Sequence, residues 1–134
     1  MRQIFTLLVL FLVLMTVNAG AAPARKLKMF TPETKKYVVV SVLDYQGLTL
    51  SESCLKNGKM NCDAWKAAQT KLDVAQTPNV GVIGNPAARY CLSHKALNRI
   101  LLDAKKAEYD YCVFPDGSVI DSWTLYNKHF SKKQ

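Results

Sequence analysis

The stretch CVFPDGSVIDSW, residues 112 to 123, decides how the second half of the chain folds. Proline presets the φ angle at the first corner of a turn, Asp116 can bond its own backbone, and Gly117 accepts the left-handed conformation that closes the turn. We therefore predict a β-hairpin corner at PDGS, residues 115–118, which returns the chain along residues 119 and 120. Trp123 and Leu125 follow the hairpin, and we expect both to pack on it, with Trp123 in the core.

The residues before this corner predict two strands and a helix. Residues 108–114 alternate between two faces, with Tyr109, Tyr111 and Val113 on one and Asp110, Cys112 and Phe114 on the other. A strand is also predicted over 98–103, with the Lys105-Lys106 pair in the turn between the two. Asn85 followed by Pro86 is typical of a helix start, because proline's missing N–H costs nothing there. That helix should run to about Lys95, with Ala88, Cys91 and Leu92 on its core face.

The first half gives weaker signals. Residues 22–36 contain two prolines and many lysines without a clear period, which predicts a flexible basic arm. Residues 37–45 form a continuous stretch rich in β-branched and aromatic residues, which predicts a buried strand. Asn57-Gly58 indicates a turn, and a helix capped by Asn61 or Asp63 should then run to about Asp73. Its core face would carry Trp65, Ala68 and Leu72, and a short extended piece is expected at residues 80–83.

The N-terminus has the layout of a secretory signal peptide. Arg2 precedes an apolar run from Ile4 to Val17, and small residues follow at positions 19 to 22. The run is shorter than the roughly 20 residues that a membrane-crossing helix needs. We therefore expect residues 1–21 to be removed, and the mature protein to be secreted or periplasmic without stable membrane insertion.

The cysteine count fits an exported protein. Four cysteines follow the leader, and an even number in an exported chain indicates two disulfides, for which three connectivities are formally possible. We favour Cys54 with Cys62 and Cys91 with Cys112, since each pair is close in sequence and joins neighbouring elements. A zinc site is less favoured, because structural zinc sites usually pair cysteines two to four residues apart. No metal or cofactor is expected.

Charge favours acidic partners. The chain carries 18 Lys and Arg against 10 Asp and Glu, a formal net charge of +8. Such a balance is compatible with a partner such as anionic lipid or envelope polymer, but we favour the simpler interpretation of a solvated basic surface. We expect no nucleic-acid partner, because no nucleic-acid motif is visible and the chain is expected outside the cytosol.

Few residue patterns suggest catalysis. Cys91 and His94 lie three apart on the predicted helix, close enough for a thiolate and imidazole pair. A disulfide at Cys91 would remove that nucleophile, and export favours the disulfide. Paired carboxylates could serve glycoside hydrolysis, but the candidates flank turns or face solvent. We therefore expect no enzyme.

Aromatic and basic side chains are the better candidates for a binding site. Tyrosine and tryptophan combine ring stacking with hydrogen bonding, and nearby lysines add positive charge. The alternative is that Tyr111 and Trp123 belong to the core. The residues that we predict to bind a partner are Tyr109, Tyr111, Asp116, Gly117, Trp123, Lys105 and Lys106.

One segment also resembles a known family. The motifs are Asn85-Pro86-Ala87, Tyr90-Cys91, Tyr111-Cys112, Phe114 to Ser118, and Trp123. In these residues the segment from Asn85 to Phe130 resembles a bacterial domain family that carries the label hemolysin, domain of unknown function 333. It departs from the family at Lys95-Ala96, where members often have two glycines, and its leader lacks the lipoprotein cysteine that members often carry. The resemblance implies an exported, disulfide-containing α+β module and supplies no catalytic residues.

Together these signals predict a small α+β domain, stabilised by disulfides, with a short antiparallel sheet or hairpin and one or two packed helices. We divide the chain into a signal peptide (1–21), a basic arm (22–36), a strand-loop-helix region (37–84) and the family-like module (85–130). Whether 37–84 is a separate unit stays open. The function that we expect is a non-enzymatic binding or accessory module of the bacterial envelope or extracellular space. The alternatives are a membrane-active toxin and a cysteine-dependent enzyme or redox protein.

Overall fold

Six antiparallel strands close into a barrel in the computed structural model, which describes residues 22–74 and 84–131. Their order around the barrel is β1-β2-β3-β8-β7-β6. The barrel strands are β1 (Arg25–Thr31), β2 (Lys36–Tyr45), β3 (Leu48–Ser51), β6 (Leu97–Leu102), β7 (Glu108–Val113) and β8 (Val119–Asp121). A small hairpin of β4 (Leu55–Lys56) and β5 (Lys59–Met60) lies outside the barrel sheet, and the helices are α1 (Asp63–Gln69), α2 (Pro86–Ser93) and α3 (Ser122–Phe130). The α+β, disulfide-stabilised class is confirmed, with a sheet more complete than predicted.

The two halves of the chain share this barrel. Strand β1 pairs with β6, where Lys28 lies opposite Leu102, and β3 pairs with β8, where Leu50 lies opposite Ile120. Each of these seams joins a strand of the first half to a strand of the second. Residues 37–74 are therefore part of the same folding unit as the segment from Asn85 onward.

Residues 25–31 form strand β1, so the prediction of a flexible basic arm is wrong there. Every residue of β1 has a partner on β2, from Arg25 opposite Val42 to Thr31 opposite Lys36. Leu27 is buried whereas Lys26 and Lys28 are exposed, which is the alternation of a strand with one face on a core. Composition alone does not reveal this alternation, because the segment is rich in lysine.

Side chains that alternate along β7 and β8 contribute to two separate hydrophobic cores. Tyr111 and Val119 pack with Leu27, Val42 and Leu101 in one cluster of buried side chains, inside the barrel. Their neighbours Cys112 and Ile120 point to the opposite face and pack with residues of the three helices in a larger cluster. The helices therefore cover one side of the barrel wall, along β3, β7, β8 and part of β6.

The hairpin corner at residues 115–118 is confirmed. The Gly117 N–H donates to the Phe114 carbonyl at 2.9 Å, and the Phe114 N–H donates to the Ser118 carbonyl at 2.9 Å. Gly117 has a φ of 81°, in the left-handed region where glycine costs least. Asp116 Oδ1 accepts a bond from the Ser118 N–H at 2.9 Å, as the turn chemistry predicts.

Helix α3 was not predicted, and the core placement of Trp123 is wrong. Asp121 caps this helix, because its Oδ1 accepts a hydrogen bond of 2.8 Å from the Thr124 N–H. Residues two apart on a helix lie about 200° apart around its axis. Burial of Leu125 therefore turns Trp123 outward, where 43% of its surface is exposed.

Strand β2 forms where expected but is not buried along its whole length. Val42 and Leu43 are buried, whereas Tyr37, Val38 and Val39 are exposed. The N-terminal part of this strand pairs with β1, but its pairing with β3 covers only Val42 to Tyr45.

The other two helices differ from the predictions in detail. Asn85 caps α2 as predicted, since its Oδ1 accepts a bond of 3.1 Å from the Ala88 N–H, and the helix ends at Ser93. Helix α1 ends at Gln69, before Leu72, and its capping atom is the sulfur of Cys62 instead of Asn61 or Asp63.

The predicted signal peptide and the extended piece at residues 80–83 lie outside the described residues. Among the described helices, none is long and apolar enough to cross a membrane.

Candidate functional site

Both predicted disulfides are present. Cys54 is bonded to Cys62 and Cys91 to Cys112, so all four cysteines are oxidised. Cys91 is fully buried. The Cys91–His94 pair therefore has no thiolate, and the structure gives no support to a cysteine nucleophile.

The predicted binding residues do not form one face. Lys105, Lys106 and Tyr109 lie at the start of β7, whereas Asp116 and Gly117 follow its end. A strand of this length spans about 20 Å, so the two groups lie at opposite ends of the barrel. Two further residues are separate from both groups: Tyr111 is buried inside the barrel, and Trp123 lies on α3.

Asp116 holds two parts of the fold together. Its Oδ1 accepts a bond from the Ser118 hydroxyl at 2.6 Å, and its Oδ2 accepts one from the Asp63 N–H at 2.8 Å. The Ser118 hydroxyl in turn accepts from the Ala64 N–H at 3.0 Å. The corner thus bonds the first turn of α1, and it is a structural joint. The sequence favours a structural joint at this corner, but the bonds to α1 were not predicted because Asp63 and Asp116 are far apart along the chain.

Hydrogen bonds govern the charge of Asp116. Burial raises the pKa of its carboxyl, but the bonds from Ser118 and from the Asp63 N–H outweigh burial and hold the pKa below its ordinary value. The group is therefore ionised at neutral pH, as an acceptor at a helix start should be.

Two other carboxylates also hold local structure. Asp103 Oδ1 accepts bonds from the N–H groups of Lys105 and Ala107, and its Oδ2 accepts one from the Tyr109 hydroxyl. Asp121 caps α3, and burial raises the pKa of its carboxyl. In the described ranges, no group of three or more His, Cys, Asp or Glu side chains is arranged to hold a metal ion.

His94 borders a groove but is packed against aromatic rings. The groove has a volume of about 310 Å³ and is lined by residues that include Asp63, Lys66 and Lys95. The Nε2 atom of His94 is buried and has no hydrogen-bond partner, and its ring lies 4.7 Å from that of Tyr90. Burial, and secondarily the charge of His129, lower the pKa of His94. The imidazole is therefore neutral at pH 7.

The most distinctive surface lies on strands β1, β2 and β6. Six large apolar side chains there are exposed, and four of them lie close together: Phe30 (43%), Tyr37 (59%), Val39 (61%) and Ile100 (50%). Phe30 lies opposite Tyr37, and their ring centroids are 5.4 Å apart. Lys28 lies between Val39 on β2 and Leu102 on β6. Phe30 comes two positions after Lys28 on β1, and Ile100 comes two positions before Leu102 on the antiparallel strand β6. The four side chains are therefore neighbours on three adjacent strands.

Lysines flank these apolar side chains at both ends. Lys26 and Lys28 lie on β1, Lys35 and Lys36 at the β1–β2 turn, and Lys105 and Lys106 at the β6–β7 turn. In the part of the chain that the structure describes, none of the six forms a salt bridge, whereas Arg25 pairs with Asp44 at 3.0 Å and Arg99 with Glu33 at 3.7 Å. We call the four apolar side chains and five of these lysines, all except Lys36, the lysine-flanked face. Lys36 is next to Tyr37 on β2, so its side chain points to the opposite side of the sheet. The alternation KLKMF in β1 was the sequence signal that could have found it.

This face includes some of the predicted binding residues. Lys105 and Lys106 belong to it, and Tyr109, which is 41% exposed, lies beside them. The other predicted residues lie elsewhere. The face was missed because it depends on the pairing of β1 with β6, two strands from opposite halves of the chain.

Comparison with known families identifies only the second half of the chain. Residues 82–129 match the model of a family described as Domain of unknown function (DUF333), which confirms the resemblance seen in the sequence. No curated protein and no solved structure matches the chain. The matched segment contains α2, β6, β7, β8 and nearly all of α3, whereas β1, β2 and β3 precede it. The barrel is therefore completed by strands outside the matched segment.

Proposed function

We propose that this chain is an exported, non-enzymatic binding module of the bacterial envelope or extracellular space, and that it binds an anionic component there. The observation that carries the proposal is the lysine-flanked face. Large exposed apolar patches on small proteins often mark interaction surfaces, and the unpaired lysines favour a partner of negative charge.

The construction of the fold supports a binding role. Two disulfides suit an oxidising compartment, and they join α2 to β7 and brace the loop between β3 and α1. The closed barrel holds β1, β2 and β6 in fixed register, so that the face is ordered before any partner arrives. A preformed surface loses less conformational entropy on binding than a mobile one.

Three of the described carboxylates have structural roles, which supports a non-enzymatic function. Asp103 holds the β6–β7 turn, Asp116 joins the hairpin corner to α1, and Asp121 caps α3. Each carboxylate has local hydrogen-bond donors that account for its position.

Site-specific photocrosslinking tests the proposal. A photoreactive amino acid replaces Val39 in the exported protein, and a matched variant carries it at Trp123, which is also exposed but lies on α3. We expect a crosslinked product in the native envelope fraction from position 39 and none from position 123. Mass spectrometry then identifies the product as protein, glycan or lipid.

Two results would refute the proposal. One is the absence of any product from position 39 under conditions in which the protein is folded and oxidised. The other is hydrolytic turnover by the purified protein that disappears in a His94→Ala or Asp121→Asn variant.

A further inference from the structure

We infer that the lysine-flanked face binds the surface of an anionic phospholipid bilayer. Phe30, Tyr37, Val39 and Ile100 would enter the headgroup region, and the five lysines of the face would lie near lipid phosphates. This inference rests on the proposed function and deepens it, because it names the partner of that face.

The apolar side chains have the chemistry of interfacial groups. Phe30 and Tyr37 form a tilted ring pair, and Tyr37 combines an apolar ring with a polar hydroxyl. Such side chains are favoured at the boundary between headgroups and acyl chains. Val39 is 61% exposed and Ile100 is 50% exposed, and both add apolar surface area beside this ring pair. Exposed groups of this kind bind a bilayer in proportion to the apolar area that they bury.

The lysines are placed to reach headgroups while the apolar side chains enter. They lie at both ends of the apolar row, at the β6–β7 turn and at the β1–β2 turn. Lysine stems lie along apolar surface while their ammonium groups stay in the polar layer. Each such lysine strengthens partitioning onto an anionic membrane about 5-fold, the equivalent of about 1 kcal/mol.

A lipid surface fits this arrangement better than one acidic protein. An acidic protein would need a carboxylate cluster matched to two separate lysine groups, with apolar surface between them. A bilayer offers apolar and anionic layers at every point, and needs no such match. Within the described residues, Arg25 and Arg99 beside the face form salt bridges with Asp44 and Glu33, whereas the lysines of the face form none.

Vesicle sedimentation tests the inference. The oxidised chain from Ala22 onward, which contains every described strand and helix, is mixed with vesicles of phosphatidylglycerol and phosphatidylcholine or of phosphatidylcholine alone. We expect binding to the anionic vesicles only. Binding should weaken at least 10-fold when salt rises from about 0.1 M to about 1 M, because the screening length falls from about 10 Å to about 3 Å.

Matched variants locate the binding surface. Lys26→Gln combined with Lys28→Gln should weaken binding about 25-fold, from two factors of about 5. Lys66→Gln combined with Lys128→Gln changes the net charge equally but lies on α1 and α3, and should weaken it much less. Val39→Asp should reduce binding at least 10-fold, whereas Trp123→Asp should leave it within 2-fold. Tyr37→Ser replaces Val39→Asp if the aspartate variant does not fold by circular dichroism.

Four outcomes would overturn the inference. They are equal binding to neutral vesicles, equal losses in the face and control variants, release of an entrapped dye in place of simple binding, and a dimer in solution that Val39→Asp dissociates. The last outcome would mean that a second copy covers the face. If vesicles do not bind but position 39 crosslinks to an envelope protein or glycan, the lipid inference fails and the proposed function stands. If neither occurs, both fail.

Discussion

Asp116 and Asp63 are 53 positions apart, yet the Asp116 carboxylate accepts a hydrogen bond of 2.8 Å from the Asp63 backbone N–H. This bond joins the hairpin corner of the family segment to the first turn of α1, which precedes that segment. Ser118 adds a second bond to the same turn, from the Ala64 N–H. The corner therefore holds the N-terminal and C-terminal halves together.

Replacing Asp116 by alanine should reduce the free energy of unfolding by about 1 to 2 kcal/mol. The change removes the acceptor for the Asp63 N–H and two bonds within the turn. Urea unfolding measures the loss. The control is Glu52→Ala, which removes an exposed carboxylate from the 3-10 turn at Glu52–Cys54. It should reduce the free energy of unfolding by less than about 0.5 kcal/mol. Equal costs in the two variants would contradict the joint role.

The same carboxylate should contribute to acid unfolding. Its pKa is lower in the folded state than the ordinary value of 3.8, because its hydrogen-bond donors outweigh the opposing effect of burial. The unfolded state therefore binds more protons, so the stability that Asp116 contributes is present above about pH 4 and is lost as pH falls through the folded pKa. Asp116→Asn should flatten the pH dependence of stability in this range, as measured by unfolding at a series of pH values. An unchanged slope would exclude the effect.

Tyr90→Phe should destabilise the fold by about 1 to 2 kcal/mol. The fully buried Tyr90 accepts a bond of 3.0 Å from the Leu72 N–H through its hydroxyl, and phenylalanine would leave that donor unsatisfied. Tyr126→Phe is the matched control, since Tyr126 is only half-buried and stacks on Phe130 through its ring. Thermal and urea unfolding of both variants measure the difference. Similar stability in the two would show that the Leu72 bond contributes little.

Removing the Cys91–Cys112 bond should cost about 3 kcal/mol, and removing Cys54–Cys62 about 2.5 kcal/mol. The first bond closes a longer loop, with a sequence separation of 21 against 8, and so restricts the unfolded chain more. The measurement is urea unfolding of the two double-alanine variants. Thiol titration must show that the remaining pair is oxidised. A larger loss at the shorter loop would contradict this entropic explanation.

His94 should titrate below its ordinary pKa of 6.5. The His94 ring is partly buried and contacts the Tyr90 ring, which also contacts the ring of His129. Burial is the main cause of the lowered pKa of His94, and the charge of His129 is the second. The unfolded state binds a proton more readily, so stability should fall as pH decreases from about 6.5 to the folded pKa. An NMR titration of the imidazole protons of His94 measures the midpoint. A midpoint at or above 6.5 would contradict the burial of its Nε2 atom.

Features that depend on neighbouring residues were predicted well. The PDGS corner, the Asn85 cap and the strands on either side of Lys105 and Lys106 are as expected. Each depends on backbone preferences or hydrogen bonds over a few positions. The two disulfides were also predicted, because short spacing between cysteines favours those pairs.

Features that depend on distant pairing were missed. Strand β1 was predicted to be a flexible basic arm, because its alternating side chains form a buried and an exposed side only when β2 and β6 pair with it. The exposure of Trp123 was missed for a similar reason, since it depends on which side of α3 packs on the barrel. The lysine-flanked face combines residues from both halves of the chain.

The sequence by itself determined the turns, the helix start at Asn85, the cysteine pairs and the family of residues 82–129. Only the tertiary structure decided that six strands close a barrel and that Asp116 bonds α1. It also decided that lysines and apolar side chains of β1, β2 and β6 are exposed together among residues 22–74 and 84–131. The reason is physical. Turn and cap energies arise between adjacent residues, whereas barrel closure and exposure arise from contacts between segments separated by most of the chain.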